Sequence, residues 1–324
     1  MNPHACLGTN VYYLCMCFFV TYDTHTEPYE DHLMRPFDSN IIMLLLLILT
    51  GLYLGIRQIL SLPLSNTAVM LSFIVLFFII VVLHGWKTLG TRECLVFFLF
   101  AYSIALLYEY TDGLGFGILV DCTWSYSGVL GYKILGKIPL VIPLVWSIFM
   151  YCSLTMTNIL FRRIRTTRAS EETFSLQWFG MTLGMGIVAG LITASLDLLI
   201  DPVMVAMGAW SWSAEGPYFG IPLWNYEGWI EIPAVTFVCY SLYLLVVKKN
   251  QMYIGGENRS RYTLVVVAVY LIVFLVYGVA AIEEQVAHVI PWAMIPVVFF
   301  SGIVIVQFHR SVRAEGKKDS SSII

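Results

Sequence analysis

Two carboxylates four residues apart, Asp197 and Asp201, close the apolar run WFGMTLGMGIVAGLITAS and precede a Trp-rich, Gly/Pro-broken stretch reaching Trp229. Side chains four apart on a helix share one face. An acid inside a helix of membrane-spanning length is costly enough to mark function by default. The alternative is that the pair sits at the water interface, where Pro202 and the tryptophans place the helix end. Glu109, Glu231 and Asp112 are the further acids to consider. Other chemistry is thin. The six histidines are scattered, so the clusters of a membrane di-iron oxygenase cannot be assembled, and no metal site is expected. Seven cysteines without C-x-x-C spacing argue against a zinc site or a disulfide framework. Neither G-x-S-x-G nor a Walker sequence occurs. Gly184-Met-Gly186-Ile-Val-Ala189 matches a dinucleotide fingerprint in form but lies inside an apolar helix with no preceding strand, so no flavin or nicotinamide cofactor is expected. The tools left are carboxylates, aromatic rings and hydroxyls. They suit proton transfer to a carbon–carbon double bond: a buried carboxyl is the acid, ionised carboxylates and the Trp124, Trp210 and Trp212 faces stabilise the cation, and water completes the addition. Asp197, Asp201, Glu109 and Glu231 are the acid/base candidates, with Asp112 in support. Asp197, the deeper of its pair, is the expected donor.

The elements that hold these residues are membrane helices. The chain is 59% hydrophobic and 12% charged, with a mean hydropathy of +0.79, far outside soluble composition. Apolar windows predict an all-α, polytopic bundle of about eight transmembrane helices at 41–60, 64–83, 94–110, 138–161, 178–201, 228–247, 262–282 and 289–308. Residues 41–309 form this transmembrane domain, 1–40 an N-terminal cytoplasmic or interfacial segment, and 310–324 a basic cytoplasmic tail. The run VYYLCMCFFV near the start lacks a basic flank and fits a cleavable signal peptide poorly. Fifteen of the 18 Lys and Arg residues fall on one side of this topology, which predicts a multi-pass cell-membrane protein with both termini cytoplasmic. Only Arg57, Lys133 and Lys137 lie on the other side, with ten acids and six of the nine tryptophans. A polar pocket at the outer leaflet follows. The formal net charge of -3 and the lack of a basic patch argue against nucleic acid.

An internal repeat is also visible. Glu109-x-x-Asp112, Trp124-Ser-Tyr-Ser and Ile138-Pro139 parallel Asp197-x-x-x-Asp201, Trp210-Ser-Trp-Ser and Ile221-Pro222. Because helices 3–4 and 5–6 run in the same sense, the repeat is parallel, about an axis normal to the membrane. Gly180, Gly184, Gly186 and Gly190 on helix 5 let a second helix, or a long flat ligand, approach the backbone.

The run Asp201-Pro202, Trp210, Trp212, Gly216-x-Tyr218-Phe219-Gly220-Ile221-Pro222, Asn225, Gly228-Trp229 resembles the membrane carotenoid biosynthesis proteins, which include the carotenoid 1,2-hydratases and bisanhydrobacterioruberin hydratases. The upstream run Glu109, Gly113, Gly115-Phe116-Gly117, Tyr126, Leu130-Gly131, Pro139-Leu140, Pro143-Leu144, Trp146 is similar to that family's other shared block. The sequence departs from the pattern at Asp121-Cys122-Thr123-Trp124. The resemblance implies a cofactor-independent, hydro-lyase-type hydration of the terminal double bond of an acyclic carotenoid end group, giving a tertiary alcohol. It implies a carotenoid or other polyprenoid substrate, the lipid bilayer and other carotenoid enzymes as partners. Tyr218, Asn225, Trp229 and Tyr126 then join Trp124, Trp210 and Trp212 in substrate binding, with the polyene lying along Gly186 and Gly190. A transporter or binding protein for a prenyl lipid or cation, and a noncatalytic scaffold for carotenoid enzymes, are the competing readings of the same acids, prolines and glycines.

Overall fold

The computed structural model describes residues 39–60, 67–111, 123–167, 174–247 and 263–321. The N-terminal segment 1–38 and the acids Asp112 and Asp121 lie outside them. Among the described residues eight helices follow in order: α1 (Ser39–Ile59), α2 (Thr67–Leu89), α3 (Thr91–Tyr110), α4 (Val141–Thr167), α5 (Leu176–Ala206), α6 (Leu223–Val247), α7 (Thr263–Glu283) and α8 (Ile290–Ser321). Seven of them, α2 to α8, are long and apolar enough to cross a membrane. Helices are the form such segments must take, since hydrocarbon offers backbone N–H and C=O groups no partner. Their outward faces carry Leu95, Leu99, Leu275, Ile295 and Val298, all more than half exposed, as suits a lipid solvent.

The helices run past the expected hydropathy windows. α5 continues through Pro202 to Ala206, and α8 passes Arg310 without a break to Ser321, so the basic tail begins as helix. Ile138-Pro139, expected to open a membrane helix, is instead strand β3, paired with β2 (Lys133–Ile134) in a small hairpin. α2 and α3 are joined by Gly90 alone, whose φ of 88° a side chain would strain.

One end of the bundle is tied together by contacts distant in sequence. β1 (Trp124–Tyr126), which follows α3, pairs antiparallel with β4 (Trp210–Trp212), which follows α5, so α3 and α5 run in the same sense. Thr67 Oγ1 at the start of α2 donates to the Val129 carbonyl at 3.0 Å. Arg57 near the end of α1 pairs with Glu283 at the end of α7, at 2.8 Å. Lys137 donates to the Tyr110 carbonyl at 2.8 Å, a cation at the negative end of α3, and Lys133 donates to the Tyr126 carbonyl. The three bases expected at this end are thus all engaged there.

The β1/β4 register bears on the repeat. Trp124 faces Trp212, Ser125 faces Ser211 and Tyr126 faces Trp210. Ser127 N donates to Ala209 O at 2.9 Å and Ser213 N to Thr123 O at 2.8 Å. Each bond is the image of the other when the two Trp-Ser-x-Ser motifs are exchanged. That is the pattern of a local two-fold axis passing between Ser125 and Ser211. Trp146 on α4 and Trp229 on α6, which follow Ile138-Pro139 and Ile221-Pro222 at equal distance, stack on one another with centroids 4.0 Å apart.

Candidate active site

Pro202 shapes the acid-bearing turn of α5. It lacks an N–H, so the Leu198 carbonyl one turn earlier loses its helical donor. Tyr218 Oη donates to that carbonyl at 3.0 Å, which docks the loop after β4 against the helix beside Asp197 and Asp201. Burial pushes the Tyr218 phenol up to about 12, so it remains a donor. The same loop is tight: Gly216 N bonds to Gly220 O, and a Cβ at Gly216 would lie 2.1 Å from the Ile221 oxygen.

The two aspartates sit in the interior, Asp197 fully buried and Asp201 2% exposed, with Asn225 from the first turn of α6 between them. Asn225 Nδ2 donates to Asp197 Oδ2 at 2.8 Å and also to Asp201 Oδ2. Trp210 Nε1 donates to Asp201 Oδ1 at 2.9 Å. Asp197 Oδ1 is buried and has no partner among the described residues. The hydroxyl of Tyr226, one turn into α6, is also buried with no partner among the described residues and lies within electrostatic reach of both aspartates.

Glu109, at the end of α3, forms a second centre. Trp124 Nε1 (3.1 Å) and Tyr126 Oη (2.7 Å) donate to its Oε2, and Trp146 Nε1 donates to its Oε1 at 2.8 Å. Burial, then the Glu109 charge, holds the Tyr126 phenol well above its ordinary value, and the Asp201 charge acts in the same direction. The centres meet across the strand pair. Tyr126, bonded to Glu109, and Trp210, bonded to Asp201, are partners in register, with rings edge to face and centroids 5.8 Å apart. In each half, the first Trp of the strand serves the acid of the helix before it.

Not every expected site residue gathers here. Glu231 is half-buried on α6 with Glu227 and Tyr108 as its neighbours, apart from both centres. Gly186 and Gly190 do not line a ligand groove: an added Cβ would lie 2.9 Å from Ala234 Cα at the first and 2.4 Å from Ile230 O at the second. That face is filled by the α6 backbone, the close helix packing that small residues permit. Trp212 packs against Trp124 and edge-on to Trp224 at 5.7 and 5.1 Å, but its Nε1 is buried with no partner among the described residues, so there it supplies a ring and no bond to an acid. Trp146 and Tyr226 are site residues that residue-type reasoning passed over. Trp146 reads as one more apolar helix position until the repeat pairs it with Trp229.

Among the described residues, no group of three or more His, Cys, Asp and Glu side chains converges as metal ligands would. The arrangement offers three buried carboxyl groups, five N–H or O–H donors directed at them, and aromatic faces around the space between. No curated protein and no solved structure matches the chain. The family model of carotenoid biosynthesis proteins matches residues 69–303, a span that holds both acid centres and both Trp strands, and the chain belongs to that family.

Proposed function

We propose that this carotenoid biosynthesis protein adds water across the terminal double bond of an acyclic carotenoid end group, giving a tertiary alcohol. The observation that supports it is the unequal bonding of the three buried carboxyl groups. Glu109 accepts three donors and Asp201 two, one on each oxygen, which suits carboxylates. Asp197 accepts one, on Oδ2, and its Oδ1 faces no donor. Protonation spares that oxygen an unpartnered buried charge and leaves an O–H that can turn to a bound double bond.

The step runs as follows. Asp197 gives its proton to the less substituted carbon, the π pair becomes the new C–H bond, and positive charge remains on the tertiary carbon. The Glu109 carboxylate and the Trp210 and Trp124 faces stabilise that charge. Water attacks the cation and yields its surplus proton to Asp201. Asn225, bonded to both aspartates, holds them while the proton returns to Asp197. General acid catalysis of this kind contributes about 10²–10⁴ in rate.

Expressed in a host that accumulates an acyclic carotene, the chain is expected to give pigment heavier by one water. Asp197→Asn, present in the membrane at the same level, is expected to give none. Full hydration by Asp197→Asn would refute the donor, and unchanged pigment mass with the native chain would refute the reaction.

A further inference from the structure

An apolar cleft opens between α2, α4, α5 and α7, with about 570 Å³ of space between atoms, part of it open to the exterior. Its walls include Phe73 and Phe77 of α2, Phe149 of α4, Met204 of α5, and Val276 and Ala280 of α7. The walls carry almost no polar surface, so nothing in them recognises a headgroup or an ion.

The walls of the cleft connect to both acid centres through neighbouring side chains. On α5, Met204 follows Asp197 by seven residues and Asp201 by three, so all three lie on one face. On α7, Tyr277 lines the cleft and lies within electrostatic reach of Asp197. On α4, Phe149 packs at 6.0 Å on Trp229, which stacks on Trp146, whose indole bonds to Glu109. No carboxyl group lines the cleft itself, and the way from it toward Asp197 runs past Met204 and Tyr277. The face of α5 bearing Gly186 and Gly190 is closed to a hydrocarbon by α6.

We infer that this cleft is the binding site for the unreacting isoprenoid chain of the substrate, an acyclic polyene hydrocarbon, and that it delivers the end group to Asp197. This rests on the hydratase reading for the end group's fate, but the binding claim is separable. Three methionines on the wall, Met70, Met204 and Met207, give it a surface that can adapt to a long chain.

The probe is an acyclic C40 carotene added to the full chain in lipid nanodiscs. Ala280→Phe and Val276→Phe, which fill the cleft, are expected to lower bound carotene and turnover at least tenfold while the protein stays folded by its melting curve. Asp197→Asn should bind carotene like the native chain and turn over none. Met207→Cys adds a readout that does not need a filled cleft: carotene should slow its labelling by a small thiol reagent at least fivefold. Undiminished binding in folded Ala280→Phe and Val276→Phe, or, should neither fold, unprotected labelling at Met207→Cys, would overturn the cleft. Native protein that binds carotene in the cleft without hydrating it would leave the site standing and overturn the reaction.

Discussion

Trp210 and Trp212 stand two apart on one three-residue strand, and the structure assigns them different work. Trp210 Nε1 donates to Asp201 Oδ1 at 2.9 Å, whereas Trp212 Nε1 is buried with no partner among the described residues. Phenylalanine at either position keeps an aromatic face and deletes the N–H. At position 210 the deletion strips one of the two donors that hold the buried Asp201. A hydrogen bond to a charged group contributes about 1.5–3 kcal/mol. If that bond must be intact while Asp201 takes the proton from attacking water, the loss appears in the barrier, at about 1.4 kcal/mol per tenfold. Trp210→Phe should then turn over about 10- to 150-fold more slowly, with carotene binding little changed. Trp212→Phe removes a donor that bonds to nothing and should stay within about twofold of the native rate, since its ring can still pack on Trp124 and Trp224. The assay is single-turnover hydration of an acyclic carotene by purified protein in lipid vesicles, normalised to folded protein. Equal rates for the two variants would refute the reasoning. Equal slowing would mean that both rings act as a lid over the cation, and a native rate in Trp210→Phe would mean that Asp201 does not need its indole.

Two further substitutions test the scaffold. Gly190→Ala places a methyl group 2.4 Å from Ile230 O and should cost about 1–3 kcal/mol as α5 and α6 part, seen as a lower melting temperature; Gly184→Ala, with nothing within 4 Å, should leave it unchanged. Tyr218→Phe leaves the Leu198 carbonyl with no donor and should cost about 1–3 kcal/mol. The Tyr218 phenol is raised in the fold to about 12 from an ordinary value near 10. Its contribution is therefore complete below pH 10 and lost as pH climbs toward 12, so the melting difference between Tyr218→Phe and the native chain should shrink over that window.

The helices were legible because a membrane leaves the backbone one form to take, and runs such as Leu264–Glu283 announce themselves by hydropathy alone. The acids were legible for a related reason: a carboxylate at position 197 has to be explained, while a serine there would not. What escaped was everything settled between distant segments. β1 and β4 are three residues each, far too short for an alternation signal, and they pair across more than eighty residues of chain. Gly186 and Gly190 announced a close approach but not what approaches, and the answer was Ile230 and Ala234 of the next helix. Glu231 has the right residue type near the right end, yet its side of α6 turns it toward Tyr108 instead of Asn225's aspartates. The Pro202 to Tyr218 contact was readable in half: the proline marks a carbonyl short of a donor, and only the fold names the donor.

The bonding of Asp197 and Asp201 also constrains how the protein is made. Their shared donor, Asn225, lies 28 residues after the first aspartate and 24 after the second. During synthesis all of α5 is therefore made before the amide that will bridge its acids. An aspartate at the centre of an inserting helix costs about 2.5–3.5 kcal/mol on insertion scales, less toward the ends. The long apolar stretch before Asp197 offsets that cost, and the pair's place in the last third of the helix reduces it. Protonated aspartates would pass most easily, so the proton that the proposed hydration takes from Asp197 can be in place from the moment of insertion.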